Sequence, residues 1–523
     1  MVRPAPEITL TVCPPFEVLM PQLGISYLAA NLERAGAAVQ IYDFNLALYE
    51  RVDPSLRGHW DTACAGGWWI DDQFVERFFD TCGAAIDRCI EELLARGPRA
   101  LGFSFYLLNC VTTMRIIERV RAVDPEIFIL AGGPTLYTHQ GGRRLGLYGY
   151  HTHQLPRRQA RVERWLEQLD VVVLGEGEAT TAEVLARRAV GRDADDVPGT
   201  ARVRGGEHRI AAPRPLARDL DSVAFPTYRG FDLERYTTRE LPLLTSRGCV
   251  RRCVFCVERT RWRATYRQRS ADNVARELRH HVERHNIRAF RGCDSLLNGS
   301  LPRLERLCAL LQRFDPGVRF NGNMVIDPAM DADFFHRCRR AGADHFIFGL
   351  ESGSDAVLRR MEKGFTTAAA ERNLRDCAGA GIGARINLIV GFPGETEADF
   401  EQSLEFLRRN QAVIDQVNLL GECKLVHGTI MTGDLSSHGV QALDPETIRD
   451  RWTLLEWRDE AGTELEVRRD RLARLVQTLE ELGIGRRGAP PPADRPERGR
   501  PPELGASAEL PAQLARQAPG PLG

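Results

Sequence analysis

Cys249, Cys253 and Cys256 follow the run Leu243-Leu244-Thr245-Ser246-Arg247-Gly248 at C-x3-C-x2-C spacing. A loop this short can point three thiolates at one centre, and thiolates are the ligands iron–sulfur clusters use. Three ligands leave one iron of a cubane open. A zinc knuckle with its fourth ligand elsewhere is the alternative, but structural zinc sites favour paired C-x2-C or Cys/His sets and no partner pair lies nearby. Other cysteines, including Cys293, Cys308, Cys338 and Cys377, share no spacing and read as small core residues. Eight arginines fall between Arg247 and Arg269 with only Glu258 opposing them. Most belong to a solvated loop; Arg267 and Arg269 are the candidates to offset cluster thiolates and an anionic ligand.

The elements that must position this loop alternate along the chain. Strand Ile8–Val12, a proline-rich turn, helix 22–35 and strand 38–42 open it. Helix 84–95, strand 100–105, helix 112–123 and strands 127–131 and 171–174 continue it. That alternation predicts an α/β fold with a doubly wound parallel sheet over residues 1–195, whose crevice lies at the carboxyl ends of the strands. Small residues sit there: Gly24 after the proline loop, Ser104, Gly132-Gly133, and Gly175-Glu176. They allow close approach to a ligand or simply make tight turns. Two stretches, 52–79 with Trp60, Trp68 and Trp69, and 137–158, are long for plain connections; the tryptophans either cap a ligand or pack an insert onto its domain.

Residues 196–240, rich in Arg, Gly and Pro, read as a linker. A second alternation follows over 241–435, with strands at 241–244, 288–290, 318–320, 345–348, 384–390 and 417–420. It predicts a partial (β/α)6 barrel with its chemistry at the C-terminal strand ends. Residues 436–485 read as a helical extension, with helices at 445–457 and 467–482, and 486–523 as a disordered tail.

With 523 residues, 43% of them hydrophobic, two or three domains are expected. A net charge of −1 argues neither for a nucleic-acid binder nor for an acidic tail. Positive charge is almost all arginine, Lys363 and Lys424 being the only lysines, which reads as coding bias. No leader or membrane-length apolar run is evident, and thirteen scattered cysteines make no disulfide framework, so a cytoplasmic location is expected.

The cysteine spacing, with Phe255 just before the last cysteine, resembles the radical S-adenosylmethionine (SAM) superfamily. So do Gly349-Leu-Glu351-Ser352-Gly-Ser354, Met361-Glu-Lys363-Gly364 and Asn387-Leu-Ile-Val-Gly391-Phe-Pro393-Gly394-Glu395. The resemblance implies a 4Fe-4S cluster on Cys249, Cys253 and Cys256 whose open iron chelates SAM, giving a 5′-deoxyadenosyl radical on reduction. It also implies Glu351 and Ser352 beside the SAM ribose or amino group, Gly391 and Pro393 behind the adenine, and Asp294 and Asn323 as further residues at the open end. His427-Gly-Thr429 is taken as a strand-end turn.

The first 195 residues look like the cobalamin-binding domain that precedes many radical SAM barrels, which implies cobalamin on Gly24, Ser104, Gly132, Gly133, Gly175 and Glu176. Many such domains carry D-x-H-x-x-G, whose histidine sits below cobalt; the matching stretch, Val18 to Gly24, has no histidine. Together these resemblances imply a methyltransferase acting on an unactivated carbon or a weakly nucleophilic atom. Its partners would be a small-molecule or peptide substrate and a flavodoxin- or ferredoxin-type reductant. The rivals are a non-methylating rearrangement or cyclisation, a tRNA methylthiotransferase, and a non-enzymatic cofactor or zinc protein.

Overall fold

Short apolar strands and side-chain-capped helices alternate from the start. The computed structural model describes residues 6–61, 72–139, 142–147, 155–314, 317–442, 453–454 and 457–487. The chain divides between Arg239 and Glu240 into two units.

In the first unit, β1 (Ile8–Val12) leads to α1 (Leu23–Arg34), which starts where the Gln22 side chain accepts from Ile25 N. Next come β2 (Val39–Tyr42), α2 (Phe44–Arg51), α3 (Asp72–Leu94), β3 (Ala100–Ser104), α4 (Cys110–Val123) and β4 (Phe128–Gly132). A hairpin of β5 (Leu136–His139) and β6 (Arg144–Leu147) precedes α5 (Leu155–Leu166), β7 (Val171–Val173), α6 (Gly177–Ala189), β8 (Thr200–Arg204) and β9 (Glu207–Ile210). The sheet runs β2-β1-β3-β4-β7-β8-β9. Its first five strands are parallel and buried through Ile8, Leu10, Val12, Leu101, Phe103, Ile129 and Val172. The helices form two separate groups, α1 with α6 and α2 with α3 and α4.

Three expectations change here. The sheet is mixed, because β8 and β9 add antiparallel strands, so the stretch read as a linker is partly sheet. The rest of it runs back along this unit, with Thr237 N donating to Val18 O at 3.0 Å and Thr238 N to Leu19 O at 3.1 Å. Finally, the 52–79 insert is not one loop: it holds a 3-10 turn, Pro54–Trp60, and the start of α3. Trp60 is 3% exposed and its indole donates to Asn45 Oδ1 at 2.8 Å, so it packs the insert down. Trp68 and Trp69 lie outside the described residues, as do 148–154 in the second long stretch.

The second unit starts with β10 (Glu240–Leu243), a hairpin of β11 (Ser246–Gly248) and β12 (Tyr266–Gln268), and α7 (Glu258–Arg261) inside that hairpin. Then α8 (Ala271–His285), capped by Ser270, is followed by β13 (Ala289–Gly292), α9 (Leu301–Leu311), β14 (Arg319–Met324), α10 (Ala332–Arg340) and β15 (Ala343–Glu351). The series goes on through α11 (Asp355–Arg360), α12 (Thr367–Gly379), β16 (Gly383–Val390), α13 (Glu397–Asn410) and β17 (Gln416–Glu422). A Thr396–Asp399 capping box starts α13.

These strands pair in chain order, all parallel, as β10-β13-β14-β15-β16-β17-β22, where β22 is Gly485–Arg486. Phe348, Ile386 and Val417 pair on a buried face, whereas Asn323, Ile347, Arg385 and Gln416 pair on a half-buried one. The period-2 alternation therefore gives this sheet one packed face and one accessible polar face.

The C-terminal part is more than an appended helical piece. β18 (Leu425–Val426) pairs with β20 (Thr453–Leu454), and β19 (Val440–Ala442) with β21 (Trp457–Asp459), separated from β18 by the short helix α14 (Ile430–Gly433). Where helix 445–457 was expected, the described residues are strand; the others lie outside the description, as does the 488–523 tail. Helix α15 (Leu465–Glu481) packs on α13, β16 and β17, and β22 extends the sheet itself.

Candidate radical and cofactor site

The cysteines occupy the long excursion of the β11–β12 hairpin, closed at its base where Gly248 pairs with Tyr266. Gly248 has φ +93°, and a Cβ there would lie 2.0 Å from Thr265 O, so only glycine closes the base. Within the excursion Val254 is 1% exposed and belongs to an apolar core with Val357, Met361, Phe392, Leu425, Met431 and Trp457. Its N–H donates to Met361 O at 3.2 Å and its carbonyl accepts from Met431 N at 2.9 Å. The middle of the loop is thus buried, and the three cysteines around it are half-buried.

Arg251 N donates to Cys249 Sγ at 3.4 Å. Among the described residues no three His, Cys, Asp or Glu side chains, these cysteines included, converge tightly enough for one metal ion. Burial pushes all three thiols up, Cys256 to about 11, so metal loading must displace protons.

Glu351 ends β15 at φ +72°, a left-handed conformation rare for a residue with a side chain, where the register with β16 shifts. Its Oε1 accepts from Lys363 Nζ at 3.2 Å, and both side chains are buried. Lys363 lies over the rings of Phe255 and Phe365, and Phe255 meets Phe392 edge-on with centroids 6.3 Å apart. The structure thereby brings the cysteine loop, Glu351 and the Gly391–Pro393 turn together through Phe255, Lys363 and Phe392.

The turn is fixed from outside. Gly391 has φ +69°, and a Cβ there would strike Arg468 Cγ at 2.2 Å. Gly391 N donates to Glu395 Oε2 at 2.6 Å and Gly394 N to Asp459 Oδ2 at 2.7 Å. Arg468 stacks on Trp457, 3.8 Å from the ring centroid, and donates to Trp457 O and Thr463 O. Nothing in the sequence marks Arg468: it sits in an amphipathic helix like any other.

Four of the expected residues make contacts within the protein. Asp294 accepts from Thr245 N at 2.9 Å and from Thr245 Oγ1 and Ser246 Oγ at 2.9 and 2.7 Å, so its carboxylate holds the entry to β11. Asn323 donates to Asp294 O. Ser352 turns to α13, its hydroxyl 3.3 Å from that of Ser403. Arg269 pairs at 2.6 Å with the buried Glu277. Thr429, as expected, caps a short turn, accepting from Thr432 N.

In the first unit, the register sets Val12 beside Ser104 and Ser104 beside Gly132 at the carboxyl edge of the sheet. Gly24, Gly133 and Gly175 are exposed there and Ser104, Gly132 and Glu176 half-buried. These mostly small residues form a ledge along that edge of the sheet. Gly133 has a structural reason as well, since a Cβ would meet Phe105 O at 2.3 Å, and Glu176 accepts from Ala217 N. Phe16 and Tyr106, rings 5.2 Å apart, flank the ledge near Gly24 and were not singled out from sequence.

Residues 243–407 match the Radical SAM superfamily. The chain carries a radical SAM domain. The cysteines, Glu351 and the Gly391–Glu395 turn all fall within it, and the cofactors of such a domain are a 4Fe-4S cluster and SAM. Among curated relatives, the anaerobic magnesium-protoporphyrin IX monomethyl ester cyclase of Synechocystis is 26% identical over 57% of this chain and 62% of its own length. This chain therefore spans about three fifths of that relative. Cytidylyl-2-hydroxyethylphosphonate methyltransferase of Streptomyces wedmorensis is 23% identical over 73% of this chain and 72% of its own. The solved structure of the radical SAM methyltransferase TsrM from Kitasatospora setae, with cobalamin and a 4Fe-4S cluster bound, shares the fold at TM-score 0.63 and 19% identity, over 90% of this chain and 91% of that one. Among the described residues no helix is long and apolar enough to cross a membrane.

Proposed function

We propose that this protein is a cobalamin-dependent radical SAM methyltransferase acting on an unactivated carbon or a weakly nucleophilic atom, supplied with electrons by a flavodoxin- or ferredoxin-type reductant. What carries the reading is the pairing of two devices in one chain: a cysteine loop tied to Glu351 and the Gly391–Glu395 turn, and a ledge of small residues on a separate parallel sheet. Cys249, Cys253 and Cys256 would hold the cluster, and Glu351 would accept from the SAM ammonium or ribose. The backbone of Gly24, Ser104, Gly132, Gly133 and Gly175 would bear cobalamin. When bound, the cluster and SAM supply a radical able to break a C–H bond, and cobalamin carries a methyl group. The protein's own part is to bind, orient and exclude water.

A methylthiotransferase reading is disfavoured. Cys13, Cys82, Cys89 and Cys110 in the first unit are buried core residues, and Cys64 lies outside the described residues. The cyclase relative favours, as second reading, a radical reaction without methyl transfer.

The test needs no substrate. Protein reconstituted anaerobically with iron, sulfide and cobalamin is incubated with methyl-labelled SAM and a reductant. Label recovered on cobalamin supports the methyltransferase. Cleavage of SAM to 5′-deoxyadenosine by protein that never takes up or labels cobalamin favours the second reading.

A further inference from the structure

Across the chain 70 basic residues balance 71 acidic ones, yet between Cys249 and Gln268 six arginines face one acid, Glu258. Coding bias explains arginine in place of lysine; it does not explain the missing acids. The fold separates the charges further. Glu258 turns inward: its side chain is 19% exposed, and its carboxylate accepts from Trp262 Nε1 at 2.9 Å and from Ser295 Oγ. Arg252, Arg261 and Arg263 are exposed and Arg259 is half-buried. Arg261 also reaches Glu258, whereas Arg252 and Arg259 pair with no acid among the described residues.

The backbone after α7 is strained where it carries one of these side chains. Arg263 at φ +50° and Ala264 at φ +55° are successive left-handed residues, a conformation that side chains disfavour. Ala264 N donates to Arg259 O at 2.6 Å and Thr265 N to Trp262 O at 3.0 Å, which fixes the reversal. Next to Arg251 in the chain, Val250 is 48% exposed. Uncompensated arginines around an exposed apolar side chain complement an acidic protein face. Position says what such a partner would bring. α7 starts two residues after Cys256, so chain length alone keeps Arg259 and Arg261 within about 18 Å of that cysteine.

We infer that this arginine-rich hairpin is the docking surface for an acidic electron-carrier protein. The inference deepens the radical SAM reading, whose cluster needs an electron from outside. One electron passes per encounter: an anionic flavin hydroquinone on the carrier becomes the neutral semiquinone, the cluster is reduced by one, and no bond forms or breaks. The exposed arginines raise the rate of encounter and set its orientation.

The test offers an acidic flavodoxin, in its hydroquinone form, to full-length protein reconstituted anaerobically. Four proteins are compared: the parent, Arg259→Glu/Arg261→Glu/Arg263→Glu, the same three positions changed to Gln, and a control. The control, Arg313→Glu/Arg340→Glu/Arg375→Glu, makes the same change of net charge at exposed positions elsewhere in the second unit. Glutamine keeps the polarity, so if charge reversal costs the loop its iron the milder variant carries the comparison. Flavodoxin affinity should fall about tenfold in the Glu variant and by less in the Gln variant, while the control keeps the parent value. Its dependence on salt should become shallower in step. Reduction of the cluster by flavodoxin should slow, while reduction by dithionite, which needs no docking face, keeps the parent rate. Equal flavodoxin affinity in the parent and both hairpin variants overturns the inference, as does an equal loss in the control. Transfer RNA that binds the parent and not the hairpin variants, with flavodoxin affinity unchanged, overturns it in favour of an RNA face. Flavodoxin binding is measured apart from reduction, so a parent that takes up no iron and sulfide overturns the radical SAM reading instead.

Discussion

Arg471, on α15, donates to the main-chain carbonyl of Glu395 at 3.0 Å and to its carboxylate at 3.1 Å. The C-terminal helix therefore grips the turn that begins at Gly391. Glu395 is 1% exposed, and burial raises its carboxyl from the ordinary 4.5 to about 7 despite Arg471 and the Gly391 N–H.

A pH dependence follows from that pair. The folded protein keeps a proton that the unfolded chain releases, so Glu395's contribution to stability is full below about pH 4.5 and is lost as pH rises through about 7. Across that window the stability of the parent relative to Glu395→Gln should fall by about 3 kcal/mol. Arg471→Met should do the opposite of rescue: it leaves a buried carboxylate unpaired, at a cost of about 3 kcal/mol at pH 8 and less at pH 6, where the group protonates. Melting temperatures of the parent and both variants from pH 5 to 8 check both signs; parallel curves would refute them.

The parts of the site that lie close together along the chain were legible in the sequence. Cys249, Cys253 and Cys256 share one loop, Glu351 ends a strand and Gly391 follows one, so type and spacing were enough to single them out. What could not be read depends on long-range packing. Arg468 and Arg471 reach the turn from some 75 residues away. β8 and β9 are short and polar, and become strands only because the edge beside β7 accepts them. Asp294 looked like a ligand because it follows a strand, but Thr245 and Ser246 take up its carboxylate.

Gly248→Ala should abolish cluster binding without touching a ligand. A Cβ at 2.0 Å from Thr265 O meets backbone, which cannot swing aside, and the residue also needs φ +93°. Opening the hairpin base would spread the cysteine loop. Iron bound per chain after reconstitution should drop to near the level of a cysteine-free variant, and full iron loading of Gly248→Ala would contradict this account of the loop.

Cobalamin should bind without a protein imidazole below cobalt. Val18 to Gly24 holds no histidine, and the ledge residues Gly24, Ser104, Gly132, Gly133, Gly175 and Glu176 supply none. Of the histidines whose side chains are described in this unit, His208 is occupied by Glu163 at 2.9 Å, and His59 is buried against Phe74. The spin-resonance spectrum of bound cob(II)alamin should lack nitrogen coupling from a protein side chain. A coupling that disappears when one histidine is replaced would overturn the assignment.

The two cofactor sites should be separable by mutation. The cysteine loop is anchored by Val254, buried and hydrogen-bonded to Met361 and Met431, whereas the three cysteine side chains are only half-buried. Replacing Cys249, Cys253 and Cys256 together by alanine takes away the ligand atoms and leaves those anchors. The first unit has its own sheet and core, so its stability should not register the change. The full-length triple variant should hold no iron and make no 5′-deoxyadenosine, because three thiolates are what retain the cluster. It should still bind cobalamin with the parent's affinity, measured by retention of the chromophore through gel filtration. Reductive cleavage of SAM at the parent rate would remove the cysteines from the mechanism altogether. Loss of cobalamin along with iron would show instead that the ledge does not bind it independently, and the division of labour proposed for the two units would fail.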